Sequence, residues 1–216
     1  MKRVLLVSAH PDDMEIGMGG TVAKMAASGD TIISVVITDG RRAPDPNSIG
    51  PEKMAAVRKE ESERAGALLG VCETKFFDLE SVASEKAIIE TTEKMCEVIG
   101  EFEPDEIYTV HPELDRHASH RTAGKICVEA LKEISDHNIK LWAYEVWGLF
   151  ANWDRLEDIT DHIGKKLAAV AEHRSQIAAI PYGDGIAGLN RWRAVFAEPH
   201  QVKPPGEYAE VFIKLN

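Results

Sequence analysis

The chain has 216 residues, 44% of them hydrophobic and 28% charged, a size and balance that suit one domain over residues 1–216 with a core of its own. Lys and Arg number 25 against 36 Asp and Glu, a formal charge of -11, which argues against nucleic acid or an anionic membrane as the main partner. Met1-Lys2-Arg3 leads into a short apolar run that resembles neither a signal peptide nor a spanning helix, so a cytoplasmic protein with no membrane contact is expected.

In chain order, the apolar run at residues 4–9 predicts a fully buried strand and residues 17–28 the helix after it, stopped at Gly29-Asp30. Residues 31–38 read as a second buried strand. Met54, Val57, Ala65, Leu68 and Leu69 recur at helical spacing and predict a helix over 54–69 that ends at Gly70. Lys75-Phe76-Phe77 reads as a short strand, and Ile88, Thr92, Met95, Ile99 and Phe102 stripe the next helix. Residues 106–110 then predict a strand, 123–134 a helix and 141–146 a further strand. Past Ile177 the chain is rich in Gly, Pro and aromatic residues, so 180–205 read as loop and cover before a last strand-like run at 208–215.

Strands alternating with helices of this length predict an α/β fold, a single-domain, Rossmann-like three-layer α/β/α sandwich with a mostly parallel sheet. Function is then expected in the crevice at the carboxyl ends of the strands. Two motifs fall at such ends: His10-Pro11-Asp12-Asp13 after the first strand, and Asp115-Arg116-His117-Ala118-Ser119-His120 after the strand at 106–110. The three cysteines, Cys72, Cys96 and Cys127, lie too far apart for a thiolate zinc site or a disulfide framework, so a metal would be held by His and carboxylate.

Zinc in a hydrolytic site takes three such ligands and leaves a place for water, whose pKa falls to about 7. His10, Asp13 and His120 supply that two-histidine, one-carboxylate set. Asp12 leaves the strand end in a different direction and is free to act as the base. His117, three residues before His120, shares its face if the segment is helical, and a cationic imidazole there can stabilise an oxyanion and protonate a leaving amine.

Plainer readings stand beside these. Asp12-Asp13 before a helix can be an N-cap, and a lone histidine at a strand end is more often a capping or surface residue. His111-Pro112-Glu113 repeats the His-Pro-acid pattern and competes as a ligand source. Gly17-Met18-Gly19-Gly20 weakly resembles a phosphate-cradling turn, but its spacing is not G-x-G-x-x-G and two acids precede it, so close helix packing explains these glycines better. His137, His162 and His200 show no partner pattern, and Trp142, Trp147, Trp153 and Trp192 read as core or interface before sugar platform.

The run His10 to Gly20, of the pattern H-P-D-D-x-E-x-G-x-G-G, resembles the first motif of the zinc-dependent de-N-acetylases of the LmbE or PIG-L family, which remove acetyl from N-acetylglucosamine units. Thr38-Asp39-Gly40, Arg58-x-x-Glu61 with Leu69-Gly70, Asp115-Arg116-His117-x-x-His120, Glu172-His173-x-Ser175-Gln176 and Ala209-Glu210-x-Phe212 are similar to later family segments, so the likeness runs most of the chain. The resemblance implies Zn2+ on His10, Asp13 and His120, Asp12 as general base, His117 as catalytic acid or oxyanion stabiliser, and Arg58 at the sugar hydroxyls. It further implies a small N-acetylated aminosugar or glycoside as substrate, and a homo-oligomer, since small family members often form trimers or hexamers. Arg58 has an equally good local alternative in an ion pair with Glu61.

One departure stands out. The family usually has His-Pro-Asp-His where this chain has His117-Ala118-Ser119-His120, and the missing aspartate normally orients or polarises the catalytic histidine. His117 is therefore expected to have a lowered pKa or to lean on another acid, such as Asp115. Two rival functions stay open at this point: a phosphoesterase with paired metals, and a non-catalytic zinc- and sugar-binding module on a decayed deacetylase scaffold, which Ser119 motivates.

Overall fold

The computed structural model describes residues 1–134, 138–197 and 206–216; His137, His200 and the 198–205 part of the expected loop lie outside the described residues. The apolar runs form β1 (Arg3–Ser8), β2 (Thr31–Thr38), β3 (Glu73–Leu79), β4 (Glu106–Val110) and β5 (Lys140–Tyr144), which pair with one another in parallel. β6 (Arg155–Asp158) and β7 (Ala209–Lys214) complete a 7-stranded sheet in the order β3-β2-β1-β4-β5-β7-β6, with β7 antiparallel to both β5 and β6.

β1 shows why its sequence is apolar without alternation. Leu5 and Val7 pack towards α3 (Glu85–Phe102) and α4 (Ala118–Ile134), against Met95, Ile99, Ile126 and Cys127. Val4 and Leu6 face the other way, towards Met14, Val22 and Leu69 of α1 (Asp13–Ala27) and α2 (Pro51–Leu69). A parallel strand covered on both faces has no solvent side, and the three layers follow from that.

The chain builds outwards from β1 through β2 to β3, then crosses back to place β4 on the other side of β1. The carboxyl ends of β1 and β4 therefore flank the point where the strand order reverses, which is where open parallel sheets leave a crevice.

The helices differ from expectation in three places. α1 begins at Asp13, so the acidic motif is itself helical, and the helix is broken at Met18 (φ -142, ψ 18). α4 begins at Ala118, which puts Ser119 and His120 in its first turn. The segment read as loop and cover contains α7 (Tyr182–Val195), preceded by α5 (Ile163–Glu172) and the short α6 (Arg174–Ile177).

α7 was hidden because Gly183, Gly185 and Gly188 depress its helix propensity and two positions of its buried face are polar. Ile186, Asn190, Arg193 and Ala194 keep helical spacing, but Arg193 pairs with Glu145 and Asn190 donates to the Ala209 carbonyl at 2.8 Å. The glycines after the first motif serve close packing, as expected: a Cβ at Gly17 would collide with the Tyr144 ring and the Glu145 carbonyl. Among the described residues no helix is long and apolar enough to cross a membrane.

Candidate active site

At the end of β1 the amides of Asp12 and Asp13 bond back to the His10 carbonyl at 3.0 and 3.4 Å, turning the chain into α1. Asp13 closes the turn by accepting the His10 amide on Oδ2 at 2.8 Å. Across the switch point, the loop after β4 delivers Asp115 and His117, and the first turn of α4 delivers His120. The two motifs meet there.

His10 Nδ1 lies 2.9 Å from His120 Nε2, and Asp13 Oδ1 lies 3.2 Å from His120 Nε2 and 3.7 Å from His10 Nδ1. Donors about 2.0–2.2 Å from a tetrahedral ion stand roughly 3.3–3.6 Å from one another, so this triangle is the right size for one cation. Its outer partners suit the same task. Asp115 Oδ1 takes the His120 Nδ1 side at 3.0 Å, and Ser119 Oγ lies 2.8 Å from His10 Nε2, so in the neutral tautomers both converging nitrogens present lone pairs. Two imidazole lone pairs and a carboxylate oxygen aimed at one point form a donor set for a divalent ion.

The His117 ring belongs to the same cluster, since one nitrogen from each of His10, His117 and His120 lies within 4.8 Å of the others. Asp13 is nearer the two converging nitrogens than that limit, and the Nδ1 of His117 is occupied by Ser119 Oγ at 2.7 Å. The hydroxyl of Ser119 thus joins His117 to His10. Asp115 does not carry the His117 ring: it accepts the His117 amide at 2.7 Å, the His120 ring, and the Trp147 and Gly148 amides at 2.9 and 3.0 Å.

The neighbouring carboxylates are driven apart. Burial raises the Asp12 pKa more than the Arg58 charge lowers it, whereas burial of Asp13 is overcome by His120 and His10, which hold it well below the usual range. Burial would lower His120, but Asp13 and Asp115 push it up to about 10. His117 is lowered, by burial first and then by the charges of His10 and His120, in the direction expected from the loss of the motif aspartate. Asp115, against the opposing effect of burial, is held low by the His120 ring and backbone amides.

Asp12 precedes α1 as an N-cap would, yet its side chain makes no capping hydrogen bond. Its Oδ1 instead sits 2.9 Å from Arg58 Nη2, and both residues are buried. Arg58 does not pair with Glu61, which accepts from the amide and hydroxyl of Ser175 at 2.8 and 2.6 Å. Gly40 is required beside it: its φ is +70, and a Cβ would press on the guanidinium. His111, the competing ligand source, accepts the Glu113 and Leu114 amides on Nδ1 at 3.1 Å each and so closes a turn.

A cavity of roughly 380 Å³ opens over this cluster, lined by His10, Asp12, Asp13, Arg58 and His117, with Trp147 and Tyr182 at its wall. Tyr182 belongs to the segment read as loop and cover; its place on α7 is what sequence reasoning missed. It also missed the pairing of Glu15 with His173, buried side chains 3.6 Å apart next to Asp12; the acid of the first motif and the histidine of the Glu-His-x-Ser-Gln segment were its signals.

Residues 5–131 match the family described as PIG-L: GlcNAc-PI de-N-acetylase. A diacetylchitobiose deacetylase of Thermococcus kodakarensis is 28% identical over 192 residues, 82% of this chain and 70% of that protein. Among solved structures, an N,N'-diacetylchitobiose deacetylase from Pyrococcus horikoshii superposes with a TM-score of 0.84 at 24% identity, over 99% of this chain and 84% of that one. A 4-carboxy-2-hydroxymuconate hydratase from Pseudomonas putida superposes with a TM-score of 0.80 at 20% identity, over 100% and 97% of the two chains. The shared fold therefore spans more than one chemistry, and the site residues have to decide between them.

Proposed function

The chain belongs to the PIG-L de-N-acetylase family, and from that premise we propose that it hydrolyses the N-acetyl amide of an N-acetylglucosamine-type sugar or glycoconjugate, with Zn2+ held by His10, Asp13 and His120. The observation that carries this reading is the triangle of donor atoms with edges of 2.9, 3.2 and 3.7 Å beside an unligated carboxylate, Asp12. A divalent ion in that triangle supplies Lewis acidity towards the amide carbonyl and acidifies water towards a pKa of about 7.

The chain's own residues supply the rest. Asp12, with a pKa raised towards the working range of a base, takes the proton of the attacking water. Arg58 fixes the carboxylate of Asp12 through Oδ1 and lines the pocket where sugar hydroxyls would lie. His117, with Nδ1 held by Ser119, keeps Nε2 for the oxyanion and for the proton that the departing amine needs. That Ser119 holds the ring in place supports a working enzyme over a binding module on the same scaffold.

Free thiols at Cys72, Cys96 and Cys127 support a reducing, cytoplasmic setting, and exposed Trp192, Val195 and Phe196 at the end of α7 support assembly into a homo-oligomer. The test combines elemental analysis with acetate release over a panel of N-acetylated glycosides. Wild type is expected to hold one zinc per chain and release acetate, Asp12→Ala to hold zinc and release little, and His120→Ala to lose the metal. Undiminished acetate release by Asp12→Ala would remove the base assignment, and two metals per chain would favour a phosphoesterase.

A further inference from the structure

Beside the catalytic cavity lies a second one of roughly 350 Å³, between α7 and the ends of β5 and β7, walled by Ile16, Leu149, Ile186 and Leu189. The two cavities share Trp147 and Tyr182, whose rings stand edge to face with centroids 6.5 Å apart, so this aromatic pair is the partition between them.

Among the described residues, the buried polar groups that line the second cavity are committed to the fold with one exception. Glu145 is held by Arg193 and the Phe150 amide, and Glu210 by Lys166 and the Gly20 and Thr21 amides. Asn190 lines the same wall at 4% exposure; its Nδ2 donates to the Ala209 carbonyl at 2.8 Å, while its Oδ1 has no partner among the described residues. A buried acceptor left without a donor costs about 1–3 kcal/mol, and a ligand that brings an N–H or O–H recovers it.

We infer that this annex is an aglycone subsite: it takes a flat apolar group, attached to the aminosugar and carrying one hydrogen-bond donor, which passes the Trp147–Tyr182 partition and donates to Asn190 Oδ1. The occupant follows from continuity with the catalytic cavity, from aromatic and aliphatic walls that suit a ring, and from the buried Asn190 oxygen that is unpartnered among the described residues. The inference rests on the deacetylase reading and adds to it which glycosides are preferred.

Gly185 provides the test variant. It lies at the exposed rim of the annex, and a Cβ built on it meets nothing within 4 Å, so Gly185→Phe places a ring at the annex mouth without crowding the core and favours the helix. Acetate release is measured for wild type, Gly185→Phe and Asn190→Leu on N-acetylglucosamine and on its phenyl and indolyl glycosides, both anomers of each. Results are read as the ratio of kcat/KM for glycoside over free sugar, so that a general change in activity cancels.

In wild type the indolyl ratio is expected at roughly tenfold or more and the phenyl ratio lower. Gly185→Phe is expected to bring both ratios to about one, and Asn190→Leu to lower the indolyl ratio to the phenyl value. Equal use of all three compounds by wild type overturns the subsite, as does a ratio that survives Gly185→Phe. A Gly185→Phe protein whose oligomeric state changes while its ratios do not marks the annex as an interface between copies and overturns it too. If wild type releases acetate from none of these compounds, the deacetylase reading fails separately, and titration calorimetry with the indolyl glycoside decides the subsite by whether Gly185→Phe abolishes binding.

Discussion

The guanidinium of Arg58 and the carboxylate of Asp12 form a buried pair, Nη2 to Oδ1 at 2.9 Å, in the wall of the catalytic cavity. Arg58 is the largest influence lowering the Asp12 pKa against burial. Asp12 acts as a base only when ionised, so removing Arg58 raises its pKa further and delays ionisation as pH increases. Arg58→Met is therefore expected to move the acidic limb of the kcat/KM profile to higher pH and to reduce activity at pH 7 by about tenfold or more, with Arg58→Lys between it and wild type. A pH profile of acetate release checks this, and an unmoved acidic limb in Arg58→Met would refute the coupling.

Asp115 holds the face of His120 opposite the donor triangle, and four donors converge on its carboxylate. Asp115→Asn keeps an acceptor for one or two of them and loses the charge that fixes the His120 tautomer. Metal affinity is expected to fall by about 10- to 100-fold, measured by competition with a chelator. A melting curve of the metal-free variant separates this from simple loosening of the loop, because the affinity loss should exceed what the metal-free change in stability accounts for.

Much of this was legible because the signals were local. β1, β2 and β4 are covered on both faces and therefore read as unbroken apolar runs, and the histidines and acids at their ends announce themselves by chemistry and spacing. The antiparallel β6 was not, since residues 155–158 are half-buried and carry three charges and a single leucine. α7 was not either, because the groups that hold it are Arg193 and Asn190, whose buried partners come from the residue that follows β5 and from β7 and cannot be guessed from the helix alone. Arg58 fell between two readings for a similar reason: Glu61, its neighbour on α2, is taken by Ser175, and Asp12 becomes its partner only once β1 and α2 are packed together.

Ser119 occupies the motif position that holds aspartate in the resembling family, and its hydroxyl spans His117 Nδ1 at 2.7 Å and His10 Nε2 at 2.8 Å. A hydroxyl orients the ring without stabilising its cation, in keeping with the lowered pKa of His117. Ser119→Asp adds a negative charge beside that ring, raises its pKa and keeps the acid protonated to higher pH, so the basic limb of kcat/KM is expected to move up by about one unit. Ser119→Ala leaves the ring unheld and is expected to lower kcat about tenfold with little change in KM. A basic limb that stays in place in Ser119→Asp removes His117 from the role of proton donor.

Glu210 carries a load that the site depends on indirectly. The break of α1 at Met18 frees the Gly20 and Thr21 amides, and Glu210 accepts both, at 3.0 and 2.7 Å, while its Oε1 also pairs with Lys166 Nζ at 2.7 Å. Lys166 and Glu210 side chains are each 1% exposed, so Glu210→Gln leaves a buried ammonium without the carboxylate it pairs with. Breaking such a pair costs about 3–5 kcal/mol, which for a chain of this size lowers Tm by about 10 °C. Replacing both partners, Lys166→Met with Glu210→Gln, removes the buried charge altogether, and thermal melting is expected to recover most of the loss. The amides of Gly20 and Thr21 keep an acceptor in the glutamine, so the recovery isolates the charge. If the double variant melts as low as Glu210→Gln alone, the stabilisation resides in the helix break and its amides, and the ion pair adds nothing to it.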